Sequence, residues 1–187
     1  KFALKAQHAG CDAVVAEGFE AGGHNGREET TTMVLIPCVS KAVDIPVIAA
    51  GGIATGRQML AALVLGASAV QIGSRFVASV EASCHNNFKN AVIDAIEGDT
   101  MLSLKALTPV RLLKNNFYQQ VQQAESICAS KKQLEELLGR GRAKKGMFEG
   151  NMDDGELEIG QVSSMINNIK PAAEILNEIW MEYNDLL

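Results

Sequence analysis

No apolar run in this sequence approaches the roughly 20 residues needed to span a bilayer, which excludes a transmembrane helix and any membrane role that depends on one. The opening residues do not read as a signal peptide either: Lys1-Phe2-Ala3-Leu4-Lys5-Ala6 is amphipathic and leads straight into a strand pattern. The four cysteines, Cys11, Cys38, Cys84 and Cys128, stand far apart with no C-x-x-C pair. Metal ligation and a disulfide framework are both disfavoured, and reduced thiols in a cytoplasmic setting are the plain reading. Basic residues are fewer than acidic ones, 17 against 22, for a net charge of −5 and a pI near 5.3. A nucleic-acid role needs a concentrated basic face, and this balance argues against it. Internal repeats and low-complexity tracts are absent. So is an initiator Met, and since the chain opens inside what reads as a helix, a piece of a longer protein is expected.

What is present is ordinary globular material. At 187 residues, with 47% hydrophobic and 21% charged, the chain suffices for one domain with a sizeable core, or for one domain plus an appendage. Residues 2–10 read as a helix closed by Gly10. Asp12 to Gly18 is a short apolar run ending in Gly, as in a strand buried on both faces. Gly18 to Thr32 reads as a loop, Met33 to Val43 as a helix despite Pro37, and Pro46 to Gly52 as a second strand. A helix follows from Gly56 to Leu65, with Thr55 and Gln58 at capping-box spacing, and Ala69 to Ser74 is a third strand. Strand and helix alternate, which implies sequential parallel β/α units. Beyond Phe76 the character changes. Glu81 to Glu97 looks helical, 99–151 mixes short helices with basic, Gly-containing stretches, and 161–186 reads as a helix broken near Pro171. The expected organisation is a β/α part over 1–98, a helical covering segment over 99–160, and helices over 161–187 that pack back on the first part.

Three segments carry chemistry. In Ala49-Ala50-Gly51-Gly52-Ile53-Ala54-Thr55-Gly56, two glycines end a strand just before a capped helix. Glycine lets a backbone approach a ligand closely, and a helix N-terminus offers free N–H groups, so phosphate is the natural guest. In Gln71-Ile72-Gly73-Ser74-Arg75-Phe76, a second strand runs into Gly and a hydroxyl. Two such strand ends on consecutive strands favour one shared phosphate site over two plain turns. In Glu17-Gly18-Phe19-Glu20-Ala21-Gly22-Gly23-His24-Asn25-Gly26, an imidazole sits among glycines on the loop after a strand. Histidine exchanges protons near neutral pH, and the neighbouring glycines tip His24 towards a catalytic role rather than a surface one.

Other candidates rank lower. Glu20 could act as a base but stands behind His24, while His8 and His85 read as structural or solvated. The run Arg140 to Lys145 is most simply a solvated face; a sharper reading makes it a contact for a phosphorylated cofactor or an acidic carrier protein. Met101, Met147, Met152 and Met165 could line an apolar pocket, although filling a core is the commoner use of Met.

At these residues the sequence resembles the nitronate monooxygenase and flavin-type enoyl-acyl-carrier-protein reductase family, formerly grouped as 2-nitropropane dioxygenases. The resemblance rests on Glu17 to Gly26, Pro46 to Gly52 and Gln71 to Phe76. It implies an α/β fold, a (β/α)8 TIM barrel of which this chain supplies about the last three β/α units plus a C-terminal helical appendage. It implies FMN as cofactor. Glu17, Gly22 and Gly23 would lie beside the flavin, while Gly51, Gly52, Gln71, Ile72, Gly73 and Ser74 would hold its phosphate and ribityl chain. His24 would be the catalytic residue facing the ring, with no metal ligand among the expected site residues.

The resemblance leaves two activities open. In the first, NAD(P)H is the co-substrate and an enoyl thioester, with acyl carrier protein as the expected carrier, is reduced; this is the favoured reading. In the second, an alkyl nitronate is oxidised with oxygen. Two further readings are a non-catalytic phosphate-binding fragment paired with another chain, and a phosphosugar-binding barrel without flavin. A homodimer is among the assemblies considered.

Overall fold

The computed structural model describes all 187 residues. Helix α1 (Phe2–His8) leads to β1 (Val14–Glu17), a two-residue strand β2 (Gly23–His24) and α2 (Thr32–Ser40). Then come β3 (Val47–Ala50), α3 (Gly56–Val64), β4 (Ala69–Gln71) and the short α4 (Ser74–Val77). The second half holds α5 (Asn86–Ile93), a hairpin of β5 (Thr100–Ser103) and β6 (Val110–Leu113), then α6 (Asn116–Ser126) and α7 (Lys131–Leu138). A π-helical turn (Lys144–Phe148), a 3-10 turn (Gln161–Met165) and α8 (Ala172–Asp185) complete it.

Strands β1, β3 and β4 form a parallel sheet in that order, with Val14 opposite Val47 and Ile48 opposite Ala69. The crossovers α2 and α3 cover one face, where Ala16, Ile36, Val47, Ala49, Ile53 and Ala62 pack as a core. Alternation of apolar runs with helical stretches produces this arrangement, as expected from the sequence. Helix α3 starts at Thr55, whose hydroxyl accepts from the Gln58 amide at 3.2 Å; the Gln58 side chain reaches back to the Ala54 amide at 2.8 Å, one residue before the usual partner. Pro37 is held inside α2 and removes a single helical hydrogen bond there.

The second half departs from expectation in three places. The helical covering segment is built around a β-hairpin, and β6 pairs antiparallel with β5 on one edge and with β2 on the other. Gly18 to Thr32 is consequently not all loop. Helix α5 covers only the centre of Glu81 to Glu97, because His85 Nδ1 accepts from the Asn87 amide at 3.0 Å and starts the helix there. No clean boundary lies near 98, since β6 pairs with β2, the Leu113 amide donates to Leu157 and the Gln161 amide donates to Glu20. On α8, Ile175 and Ile179 are buried as the helical spacing implies, whereas Leu176 and Trp180 are exposed. Those two line an open apolar trough with Val70, Ile72 and Phe76 beside β4.

Arg111 of β6 ties the two halves together. Its guanidinium is 1% exposed, donates from Nη2 to the Phe19 carbonyl at 2.8 Å and stacks 4.5 Å over the Phe19 ring. Truncation would leave a buried carbonyl unpaired and open a cavity. Arg111→Ala should therefore lower unfolding stability by about 3 kcal/mol in urea titration, and a loss within error of zero would deny it this role.

Candidate active site

The parallel sheet opens at its C-terminal end on a cavity of about 220 Å³. Glu17 reaches it from the end of β1, Gly51, Gly52 and Ile53 from the turn after β3, and Gln71, Gly73 and Ser74 from the turn after β4. Gly22 and Glu20 enter from the glycine loop, while Glu158, Ile159 and Val162 close the opposite wall with Met147. Gly51 and Gly52 have φ of +87° and +72°, which L side chains rarely adopt, and this is why two glycines occur together here.

The amides of Gly52, Ile53, Gly73 and Ser74 donate to no other group of the chain. Ile53 is buried, Gly52 and Ser74 are half-buried and Gly73 is exposed; four amides without a partner in the chain at one cavity form an anion-binding surface. The Ser74 hydroxyl adds a fifth polar group; its oxygen accepts from the Gly160 amide at 3.0 Å and leaves its own hydrogen free to donate. The residues present therefore fit a phosphate group. The N-terminus of α3, the guest site suggested by the sequence, is already taken: the Gly56 amide donates to Glu182 of α8 at 2.8 Å.

The expected site residues separate into two sets. Glu17, Gly22, Gly51, Gly52, Gln71, Gly73 and Ser74 all line the cavity. Ile72 does not, because its side chain points to the other face and lies in the apolar trough. Gly23 and His24 stand just outside the cavity on β2, with the imidazole exposed. Asn25 anchors this loop: it is buried, and its side-chain amide donates to the Ala21 and Gly23 carbonyls at 2.9 and 3.0 Å. The sequence had marked Asn25 only as a member of the motif.

Glu20 is not a free base. Its carboxylate accepts from the Thr32 amide at 3.0 Å and so caps the first turn of α2. The basic run is also committed elsewhere. Arg142 donates to the carbonyls of Leu137, Leu138 and Asp154 and stacks on Phe117, while Lys144 and Lys145 pair with Glu149 and Asp154. Of the four methionines, Met147 alone lines the cavity; Met152 packs in a core, and Met101 and Met165 are exposed. No cluster of three or more metal-binding side chains forms.

Two acids were missed by sequence reasoning, Glu158 on the closing wall and Glu156 buried two residues before it, since E-L-E carries no recognisable signal. Burial raises the Glu156 carboxyl to about 7, with the nearby Glu158 charge adding to the effect and Arg142 opposing it. Burial also raises Glu158, which the His24 charge pulls back down, and partial desolvation at the cavity raises Glu17, whose side chain is otherwise exposed.

The nitronate monooxygenase family profile matches residues 1–182. Among curated relatives, a probable nitronate monooxygenase of Staphylococcus haemolyticus is 40% identical over 133 residues, 66% of this chain and 37% of its own length. One of Staphylococcus saprophyticus is 33% identical over 196 residues, 94% of this chain and 55% of its own. Among solved structures, FabK from Thermotoga maritima has a TM-score of 0.92 at 43% identity, over 98% of this chain and 58% of that one. A nitroalkane oxidase from Streptomyces ansochromogenes has a TM-score of 0.80 at 31% identity, over 98% and 55%. The chain thus spans between 37% and 58% of the length of these relatives.

Glu156 retains its proton in the fold up to about 7, whereas in the unfolded chain it ionises near 4.5. Between those values the folded state binds more protons, so its stability falls as pH rises. Glu156→Gln should remove that loss. The variant should match the parent at pH 4 and exceed it at pH 8 by up to about 3 kcal/mol in thermal or urea unfolding; a less stable variant at pH 8 would contradict the assignment.

Proposed function

The chain belongs to the nitronate monooxygenase family, and we propose that it forms the phosphate-binding part of an FMN-dependent oxidoreductase that reduces enoyl thioesters. In this reading β1, β3 and β4 are three consecutive staves of a (β/α)8 barrel. Both outer edges of the sheet lack a partner, and Val15, Glu17, Ala69 and Gln71 stay exposed on the face a closed barrel would cover. The likeness to longer structures of the same family supports it.

The free amides of Gly52, Ile53, Gly73 and Ser74 and the Ser74 hydroxyl would hold the FMN phosphate. Gln71 would meet the ribityl chain, and Glu17, Gly22 and Gly23 would border the ring. When bound, FMN supplies the acceptance and delivery of hydride, with NAD(P)H as the reductant. His24 would donate a hydrogen bond or proton at the acyl carbonyl end of the substrate. Met147, Ile159 and Val162 would exclude water and pack on apolar parts of the ligand.

One observation carries the choice of substrate. Three carboxylates, Glu17, Glu20 and Glu158, line the same cavity. Away from the amides that would hold the phosphate, negative charge at the Glu158 side disfavours an alkyl nitronate, which is an anion, relative to a neutral enoyl thioester. FabK, an enoyl-acyl-carrier-protein reductase, supports the same choice. The nitronate reading has the names of the curated relatives and the nitroalkane oxidase in its favour. Cytoplasmic location, delivery by acyl carrier protein and homodimer assembly belong to the reductase reading as further proposals. No helix of the structure is long and apolar enough to cross a membrane.

FMN-loaded protein, reduced anaerobically with NADPH or NADH, should be reoxidised by crotonyl thioester. Reoxidation only through propyl-2-nitronate and oxygen would overturn the substrate assignment. His24→Ala should keep its flavin and lose at least about 100-fold in turnover. Gly73 gives a clean test of the cradle, because a Cβ there meets nothing within 4 Å. Gly73→Val should fold with an unchanged melting temperature yet lose FMN on gel filtration; full flavin retention would remove the cradle.

A further inference from the structure

His24 and Glu158 share one edge of β6. On that edge His24 lies opposite Val110 and Gly23 opposite Arg111, and the next position, Leu112, bridges to Glu158. Positions 110 and 112 have the same parity in the ladder, so residues 24 and 158 project to the same side of it. Two segments 134 residues apart in sequence are thereby brought end to end. Their junction is tight: a Cβ at Gly23 would lie 2.5 Å from Glu158 Oε2, and a Cβ at Gly22 would lie 2.4 Å from the Ile159 carbonyl carbon. Gly22 is required by the close Ile159 backbone and Gly23 by its φ of +74°, and the Glu158 carboxylate settles against the backbone immediately before His24.

Glu158 also lines the cavity, whereas His24 stands at its rim with the ring exposed and bonded to no other group of the chain. An imidazole in that position needs a partner to direct it inward. The other charged groups of the adjoining elements have partners or places of their own: Arg27 donates to the Lys105 and Leu107 carbonyls and Lys105 pairs with Glu29. Glu20 caps α2, Arg111 holds Phe19, Arg142 is bound to three carbonyls beside Glu156, and Glu17 lies across the cavity at the end of β1.

We propose that Glu158 is the positioning residue for His24: rotation of the exposed ring brings its N–H to the Glu158 carboxylate, which accepts a hydrogen bond there, holds the imidazole toward the cavity and favours its charged form. The proposal rests on the reductase reading. In that reaction the double bond of the enoyl thioester would gain a hydride at the β-carbon, supplied by NAD(P)H by way of the flavin, and a proton at the α-carbon. The proton leaves the His24 imidazolium, the ring becomes neutral, and solvent restores the proton; Glu158 remains a carboxylate throughout. Burial at the wall raises the carboxyl and the His24 charge draws it down, in keeping with a coupled pair.

The test is Glu158→Gln, with Glu158→Asp as the conservative variant, both in the full chain and checked for FMN content. Glu158→Gln should lower kcat with crotonyl thioester about 10- to 100-fold at unchanged KM and flavin content. Its alkaline limb in the kcat profile should move to lower pH, because the imidazolium loses its stabilising charge, and Glu158→Asp should recover part of both effects. A second readout needs no turnover. Diethylpyrocarbonate attacks only neutral imidazole, so its reaction with His24 at pH 7, followed by mass spectrometry, should be about 2- to 5-fold faster in Glu158→Gln. An unchanged labelling rate together with an unmoved pH profile overturns the pairing, while leaving crotonyl reduction by the parent intact. Faster labelling in a protein that never reduces crotonyl thioester supports the pairing and overturns the substrate.

Discussion

The site depends on strand polarity. Because β3 and β4 are adjacent and parallel, their C-terminal ends emerge side by side, one strand spacing apart. Each end turns through glycine, so the amides of Gly52 and Ile53 and those of Gly73 and Ser74 open on one cavity without internal partners. Reversing either strand would carry one of these turns to the opposite rim. The anion-binding surface therefore follows from the β/α repeat itself, and side chains only refine it.

The closing wall is supplied by a different kind of structure. The β5–β6 hairpin attaches to Gly23–His24 on one side, and the following chain returns to seat Glu158, Ile159 and Gly160 against the glycine loop. Arg111 holds this assembly to the parallel sheet through the Phe19 carbonyl. One wall thus offers N–H donors and the other offers the Glu158 carboxyl group, while Glu17 and Glu20 stand on the sheet side of the cavity.

The first half was legible because its signals are local. Apolar runs of four to seven residues, bounded by glycine, fix β1, β3 and β4, and Thr55 with Gln58 fixes the start of α3. The glycine turns were legible for the same reason, since a positive φ and a close approach leave a mark in a single short segment. The hairpin was not, because Thr100–Ser103 and Val110–Leu113 carry no alternation that separates them from a helical stretch, and the pairing of β6 with β2 joins residues some 90 positions apart. Ile72 was assigned to the site by its neighbours in sequence; the pleat of β4 turns it to the other face. Glu158 could not be found at all, as its importance lies in what stands beside it in space.

The apolar trough along α8 and β4 contains Trp180, the only tryptophan of the chain, stacked 5.4 Å from Tyr183 and more than half exposed. Indole emission shifts to the blue as water is withdrawn from the ring. The molecule therefore carries its own label-free optical gauge of hydration at the open border of its parallel sheet, read without interference from a second indole elsewhere.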